Sequence, residues 1–219
     1  MTAEIKSLGE QALEARDPDV RLMLQVRNEV PGAFEALVER YQNRLMGILF
    51  HLLGNKEEAE DLTQEVFLRI FKARRGYRPT AKFSTWLFTI ANNLAFNQKR
   101  SRKRAAAVPL AGGEDNSAST AIPAGSGTTL YARDITPSAQ MRQVELSDVV
   151  RNALDVLGED QKMAVLLNKF EEMSYTEIAE IMGRSESAVK SLLARARNQL
   201  RDRLIPYLTT GKRGPVDAS

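Results

Sequence analysis

The sequence predicts an all-α protein of two small helical domains joined by a flexible linker. Three observations carry that prediction. Apolar residues recur at helical spacing on both sides of the middle of the chain, and no strand-like alternation appears in residues 31–104. Helix starts and stops fall where that periodicity demands them, at Gly54-Asn55, Gly158, Ser174 to Glu177 and Gly183. Between the two periodic halves, residues 105–135 turn to Ala, Gly, Ser and Thr with Pro109 and Pro123. That stretch holds too few large apolar groups to offset the entropy of ordering it, so it reads as the linker.

Residues 1–30 are charged and weakly periodic, and read as an N-terminal extension, helical or frayed. The first domain spans residues 31–104. Pro31-Gly32 breaks the chain, after which Phe34, Leu37, Val38, Tyr41, Leu45, Ile48, Leu49 and Leu52 follow helical spacing up to Gly54. A second helix runs from about Lys56 to Lys72 with Ala59, Leu62, Val66 and Ile70 inward. Glu57, Glu58, Glu60 and Asp61 in its early turns complement a helix N-terminus. Pro79 forbids helix in the loop Gly76 to Lys82. Ser84 or Thr85 is the expected N-cap of a third helix, to about Arg104, that buries Leu87, Ile90, Ala91 and Leu94.

The second domain spans residues 136–208, and residues 209–219 form a tail. Thr136-Pro137 restarts helix as N-cap and first helical residue. Met141, Val144, Val149, Ala153, Leu154 and Leu157 continue the pattern to Gly158. A short helix carries Met163, Leu166, Leu167 and Phe170. Ser174-Tyr175-Thr176-Glu177 is a capping box, and Ser185 caps a last helix with Val189, Leu192, Leu193, Ala196, Leu200 and Leu204 inward. The chain after Pro206 is expected to fray.

Charge divides the molecule by function. The whole chain is +3, yet residues 1–71 are −5 and residues 72–104, which contain no Asp or Glu, are +10. Within that basic run stand Tyr77, Phe83, Trp86, Phe88 and Phe96 with Asn92, Asn93 and Asn97. Cations that hold phosphates, rings that stack on bases and amides that read base edges together suit single-stranded nucleic acid. The acidic and basic faces of one domain point to two partners. Trp86 and Phe88 are assigned to the core, Asn92 to solvent and His51 to a structural place in its helix. No residue is assigned to catalysis, a metal or a cofactor. With no cysteine and one histidine, thiolate and imidazole metal clusters and His-based triads are excluded, and no Gly-rich phosphate loop is present. No apolar run could cross a membrane, and no signal-peptide pattern opens the chain.

Tyr175–Met182, Gly183-Arg184-Ser185 and Glu186–Arg203 have the proportions of a helix-turn-helix. Its second helix would turn Ser187, Lys190, Ser191, Ala194, Arg195 and Asn198 outward, towards the base edges of a major groove. From Arg184 to Arg213 the net charge is +6, the attraction for phosphates that such a helix needs.

Both halves resemble one family. Asp61-Leu62-Thr63-Gln64-Glu65-Val66-Phe67-Leu68-Arg69 is similar to the core-binding region of bacterial extracytoplasmic-function (ECF) sigma factors. Phe83-Ser84-Thr85-Trp86-Leu87-Phe88-Thr89-Ile90-Ala91-Asn92-Asn93 resembles their promoter-melting region. Ser174 to Gly183 and Val189 to Arg197 resemble their C-terminal region. The resemblance covers about residues 33–104 and 138–205, in the right order.

It implies a subunit that binds core RNA polymerase in the cytoplasm and directs it to promoters, without chemistry of its own. Asp61, Gln64 and Glu65 would meet the clamp helices of the largest subunit. Arg78 to Ser84, Lys82 included, would form the loop of a pocket for an extruded −10 base, with Asn93 at its wall and Tyr77 at its rim. Phe83 and Asn97 are further candidates there, and Lys99 and Arg100 would hold DNA backbone. Lys190, Ser191, Ala194 and Arg195 would read the −35 element beside Ser187, while Arg197 and Arg201 meet backbone or solvent. Part of the second domain would dock on the β flap, and the family implies a possible anti-sigma factor. Two alternatives fit the sequence less well. A dimeric helix-turn-helix repressor needs no aromatic-basic element. A carboxylate-dependent nucleic-acid enzyme would want metal ligands beside the bound phosphates, inside the acid-free segment.

Overall fold

The computed structural model describes residues 11–107 and 149–210, and every regular element among them is a helix. The expected restart at Thr136-Pro137, with Met141, Val144 and most of the linker, lies outside the described residues.

The first unit begins earlier than residue 31. Helix α1 (Pro18–Arg27) is capped by Asp17, whose side chain accepts from Asp19 N, and it buries Val20, Met23, Leu24 and Val26. These side chains join the same core as α2 (Ala33–Leu53), which contributes Leu37, Tyr41, Leu45, Ile48, Leu49 and Leu52. Each large apolar side chain so buried contributes about 1.5–3 kcal/mol against the exposed state. Gly54 ends α2 at φ 76°, donating its N–H to the Phe50 carbonyl. Asn55 then caps α3 (Lys56–Ala73), accepting from Glu58 N at 3.1 Å. The α3 face packed on α2 is Ala59, Leu62, Thr63, Val66, Phe67 and Ile70.

A short 3₁₀ turn (Arg74–Gly76) and an irregular loop lead to α4 (Phe83–Ala107). This helix starts before the expected caps. Ser84 and Thr85 lie in its first turn, and among the described residues the buried Thr85 hydroxyl has no partner. The cap comes instead from Asp17, whose Oδ2 accepts from Phe83 N at 3.0 Å.

The second unit comprises helical residues 149–155, α5 (Glu159–Phe170), α6 (Tyr175–Met182) and α7 (Glu186–Thr210). The expected capping box of α6 is formed: Ser174 Oγ accepts from Glu177 N, and Glu177 accepts from Ser174 N. Gly183 closes α6 at φ 60°. A Cβ there would meet nothing within 4 Å among the described residues, so the left-handed backbone is what favours glycine. Ser185 Oγ accepts from Ala188 N to start α7. The helix continues through Pro206 to Thr210, past the point where the sequence suggested fraying. The two units pack on each other, α4 against α6 and α2 against α5, and their buried residues form one continuous cluster.

Candidate nucleic-acid interface

The loop before α4 alternates inward and outward. Tyr77 and Pro79 are buried, while Arg78, Thr80 and Lys82 are exposed. Phe83 is fully buried. Its ring lies 5.3 Å from Tyr41 and 5.9 Å from Trp86, and Tyr77 stacks against Trp86 at 4.9 Å. This corrects two expectations. Neither Phe83 nor Tyr77, at 5 % exposure, presents a ring to a base. Burial also pushes the Tyr77 phenol well above its ordinary pKa, and among the described residues its hydroxyl has no partner. Aromatics in a basic run are equally what a small helical core requires, and here the core takes them.

Helix α4 presents two adjacent stripes. Asn93, Asn97, Arg100 and Arg104 are exposed along one side. Asn92, Phe96, Lys99 and Lys103, each one residue earlier, face the second unit. Asn92 is buried rather than solvent-facing, and its Nδ2 donates to the Ile181 carbonyl at 3.3 Å. Glu159 pairs with Lys103 at 2.9 Å and with Lys99 at 3.9 Å. Burial lowers the Lys99 pKa, with Glu159 opposing, and the hydrogen bond from Lys103 holds the Glu159 carboxyl below its usual range. In the loop, Lys82 pairs with Glu177 at 2.8 Å, which raises the lysine pKa. Burial alone would raise Glu177, but Lys82 and Ser174 outweigh it and hold that carboxyl low. Arg44 pairs with Glu171, whose side chain is 2 % exposed. Three carboxylates of the second unit thus sit on cations of the first. Ser84 is half-buried. Of the expected loop and α4 residues, Arg78, Asn93, Asn97 and Arg100 stand open, and Lys82 and Lys99 are engaged by the other unit.

On α7, Ser187, Lys190, Ser191, Ala194, Arg195 and Asn198 are all exposed along one face, while Val189, Leu193 and Ala196 are buried opposite. Ser191 Oγ donates back to the Ser187 carbonyl at 3.0 Å, and Arg195 Nε donates to the Ser191 carbonyl at 3.4 Å. Arg197 is exposed as well. In this arrangement Arg195 and Leu192 line an open cleft shared with Phe96 and Lys103 of α4.

On α3, Asp61 and Gln64 are exposed and Glu65 is half-buried, paired with Arg69 at 2.7 Å. The same face carries two exposed apolar side chains that sequence reasoning did not single out, Leu68 at 45 % and Phe71 at 39 %. Phe71 touches Phe34 and is covered on one side by the Arg74 guanidinium, 3.9 Å from its centroid. The signal for Leu68 was present: it falls between the buried positions Val66 and Ile70 and off their stripe.

Comparison with known families matches Sigma-70 region 2 to residues 37–105 and Sigma-70 region 4 to residues 147–200. The ECF RNA polymerase sigma-E factor of Haemophilus influenzae is 33% identical over 191 residues, covering 87% of this chain and 97% of the relative. This chain belongs to the ECF sigma factors. The RNA polymerase sigma-H factor of Pseudomonas aeruginosa is 31% identical over 195 residues, covering 88% of this chain and 97% of that one. A solved sigma factor RpoE from Bartonella quintana, in complex with the anti-sigma factor NepR, superposes with a TM-score of 0.61 at 23% identity. It covers 83% of this sigma factor and 99% of that chain, a likeness of fold. The region 2 match opens inside α2, so α1 lies outside it while sharing its core. The region 4 match contains the helix pair α6 and α7 up to residue 200.

Proposed function

We propose that this sigma factor binds core polymerase through the outer face of α3, grips the −10 strand with the loop before α4 and the open stripe of α4, and reads the −35 duplex with the outer face of α7. It acts as a specificity subunit in the cytoplasm and performs no chemistry itself. The observation that carries the reading is the pairing of two open faces of opposite character on adjacent helices. Asp61, Gln64, Glu65 and Leu68 lie on α3, and Asn93, Asn97, Arg100 and Arg104 on α4. A partly apolar, acidic face suits a protein surface, and the exposed pair Leu68 and Phe71 would supply its desolvated centre. A stripe of amides and guanidiniums suits bases and phosphates.

The −10 contacts in this reading come from Arg78, Thr80 and Lys82 on the loop and from Asn93, Asn97, Lys99 and Arg100 on α4. Ser84 lines the loop's end, while Tyr77 and Phe83 support it from beneath. On α7, Lys190 and Arg195 donate to guanine edges, Ala194 meets an apolar base edge, and Ser187, Ser191 and Arg197 meet backbone.

Promoter engagement requires the two units to separate. Elements about 25 base pairs apart lie roughly 85 Å apart along B-DNA at about 3.4 Å per pair. Here α6 packs directly on α4. The segment 108–148 could reach at most about 140 Å when fully extended, so the covalent chain permits the separation. The reading is tested by the affinity of the Asp61→Arg variant for purified core polymerase. A loss of about tenfold or more is expected, and an unchanged affinity removes α3 from the interface.

A further inference from the structure

The two ends of the loop before α4 are both held by the two ends of α1. At the start of the loop, Arg27 in the last turn of α1 donates from Nη1 to the Tyr77 carbonyl at 3.3 Å. At its end, the Asp17 carboxylate accepts from Phe83 N at 3.0 Å. The same carboxylate caps α1, accepting from Asp19 N through its other oxygen at 2.9 Å. One side chain thus closes two helix N-termini, the second beginning at Phe83, 66 positions along the chain from Asp17. The residue immediately before α4 is Lys82, whose ammonium can only donate. An uncapped start would leave the first N–H groups of α4 without acceptors. Asp17 supplies both the acceptor and the negative charge that a helix N-terminus favours.

Helix α1 itself is fixed. Val20 and Met23 are fully buried, and Asp19 pairs with Arg40 and accepts the Tyr41 hydroxyl. Tyr41 in turn packs its ring on Phe83. At the other end Glu29, just past α1, pairs with Arg74 and Arg75 in the turn that feeds the loop. A ten-residue helix about 15 Å long therefore acts as a rigid brace under the loop.

We propose that Asp17 and Arg27 are positioning residues for −10 recognition. They hold the loop in the one shape that turns Arg78, Thr80 and Lys82 outward together. Without the brace, the cations remain and still attract phosphate, but their spacing against the bases is no longer fixed. Affinity for DNA in general survives, and discrimination among −10 sequences falls. The proposal rests on reading the loop as a −10 element.

The test uses core polymerase reconstituted with the full chain and a promoter library randomised across both the −10 and −35 elements, with run-off transcripts sequenced. For Asp17→Ala, the preference for the best −10 sequence over its single-base neighbours should drop about fivefold, while the −35 preference stays as in the parent. Arg27→Met should act in the same direction. Asp17→Asn, which keeps an acceptor but not the charge, should fall between. Arg21→Ala, an exposed position on the same helix, should match the parent. A merely structural role lowers output from every library member alike. Equal loss across the library, or unaltered −10 preference in both Asp17→Ala and Arg27→Met, overturns the proposal. If the parent itself selects no promoter sequence, the functional reading fails instead.

Discussion

Reversing Glu159 to lysine should open the two units. Glu159 contacts two cations of α4, Lys103 at 2.9 Å and Lys99 at 3.9 Å, and its side chain is 33 % exposed. Lys103 is 74 % exposed, so its pair is heavily screened, whereas Lys99 at 20 % is more sheltered. A partly exposed pair contributes about 0.2–1 kcal/mol, so the two together hold about 1 kcal/mol. Reversal turns that attraction into a repulsion of similar size, for a total near 2 kcal/mol. That shifts the closed-to-open ratio roughly 30-fold, at 1.36 kcal/mol per factor of ten. Glu159 also lies in the first turn of α5, where its charge favours the helix. That contribution is the same open or closed and cancels from the shift. The chain has no cysteine, so cysteines introduced at the exposed positions Gln42 and Asn198 accept a donor–acceptor dye pair without background. Energy transfer followed through a salt titration should lose its closed signal at lower salt in Glu159→Lys than in the parent. Adding Lys103→Glu to that variant rebuilds one pair and should recover most of the difference. Identical salt curves for the three proteins would refute the reasoning.

Two further outcomes are expected. Arg195→Ala should lower transcription about tenfold or more from promoters whose −35 element offers a guanine to it and little from others, as measured by run-off on paired templates; uniform loss would make Arg195 a backbone contact. His51 titrates below its ordinary range because burial, then Arg151 and Lys162, disfavour its charge, with Asp155 opposing. Its folded pKa is therefore below the unfolded value of about 6.5, so stability is intact above that pH and declines as pH falls towards the folded value. The urea midpoint of His51→Leu should fall less than the parent's on going from pH 7.5 to 5.5, and a parallel decline would clear His51 of the effect.

Much of the fold was legible because each helix carries its own period and its own stops. Leu37, Tyr41, Leu45, Ile48 and Leu52 fix one face of α2, and Gly54 and Gly183 adopt the left-handed backbone that ends α2 and α6. Helix α1 was less legible. Val20, Met23 and Leu24 do follow helical spacing, but ten residues interleaved with Asp19, Arg21 and Arg27 give too short a period to separate from a frayed lead-in. The cap of α4 could not be read locally, since its acceptor arrives from Asp17 through space. Composition could not say whether Tyr77 and Phe83 stack on bases or on each other, because a ring serves both uses. Their burial decides for the core. On α7 the outward face was readable from spacing, because the buried Val189, Leu193 and Ala196 fix what lies opposite. The packing of α6 on α4 includes single polar contacts such as Asn92 to the Ile181 carbonyl, which leave no periodic trace.

The central claim is that this chain confers promoter choice on core polymerase. The direct measurement is run-off transcription by purified core enzyme on a library of genomic fragments, with and without the protein. The account predicts that adding the protein produces transcripts from a small set of fragments sharing two sequence elements at fixed spacing, one of them opened and reactive to permanganate. Transcripts that do not depend on the protein, or fragments that share only one duplex element and are not opened, would contradict it.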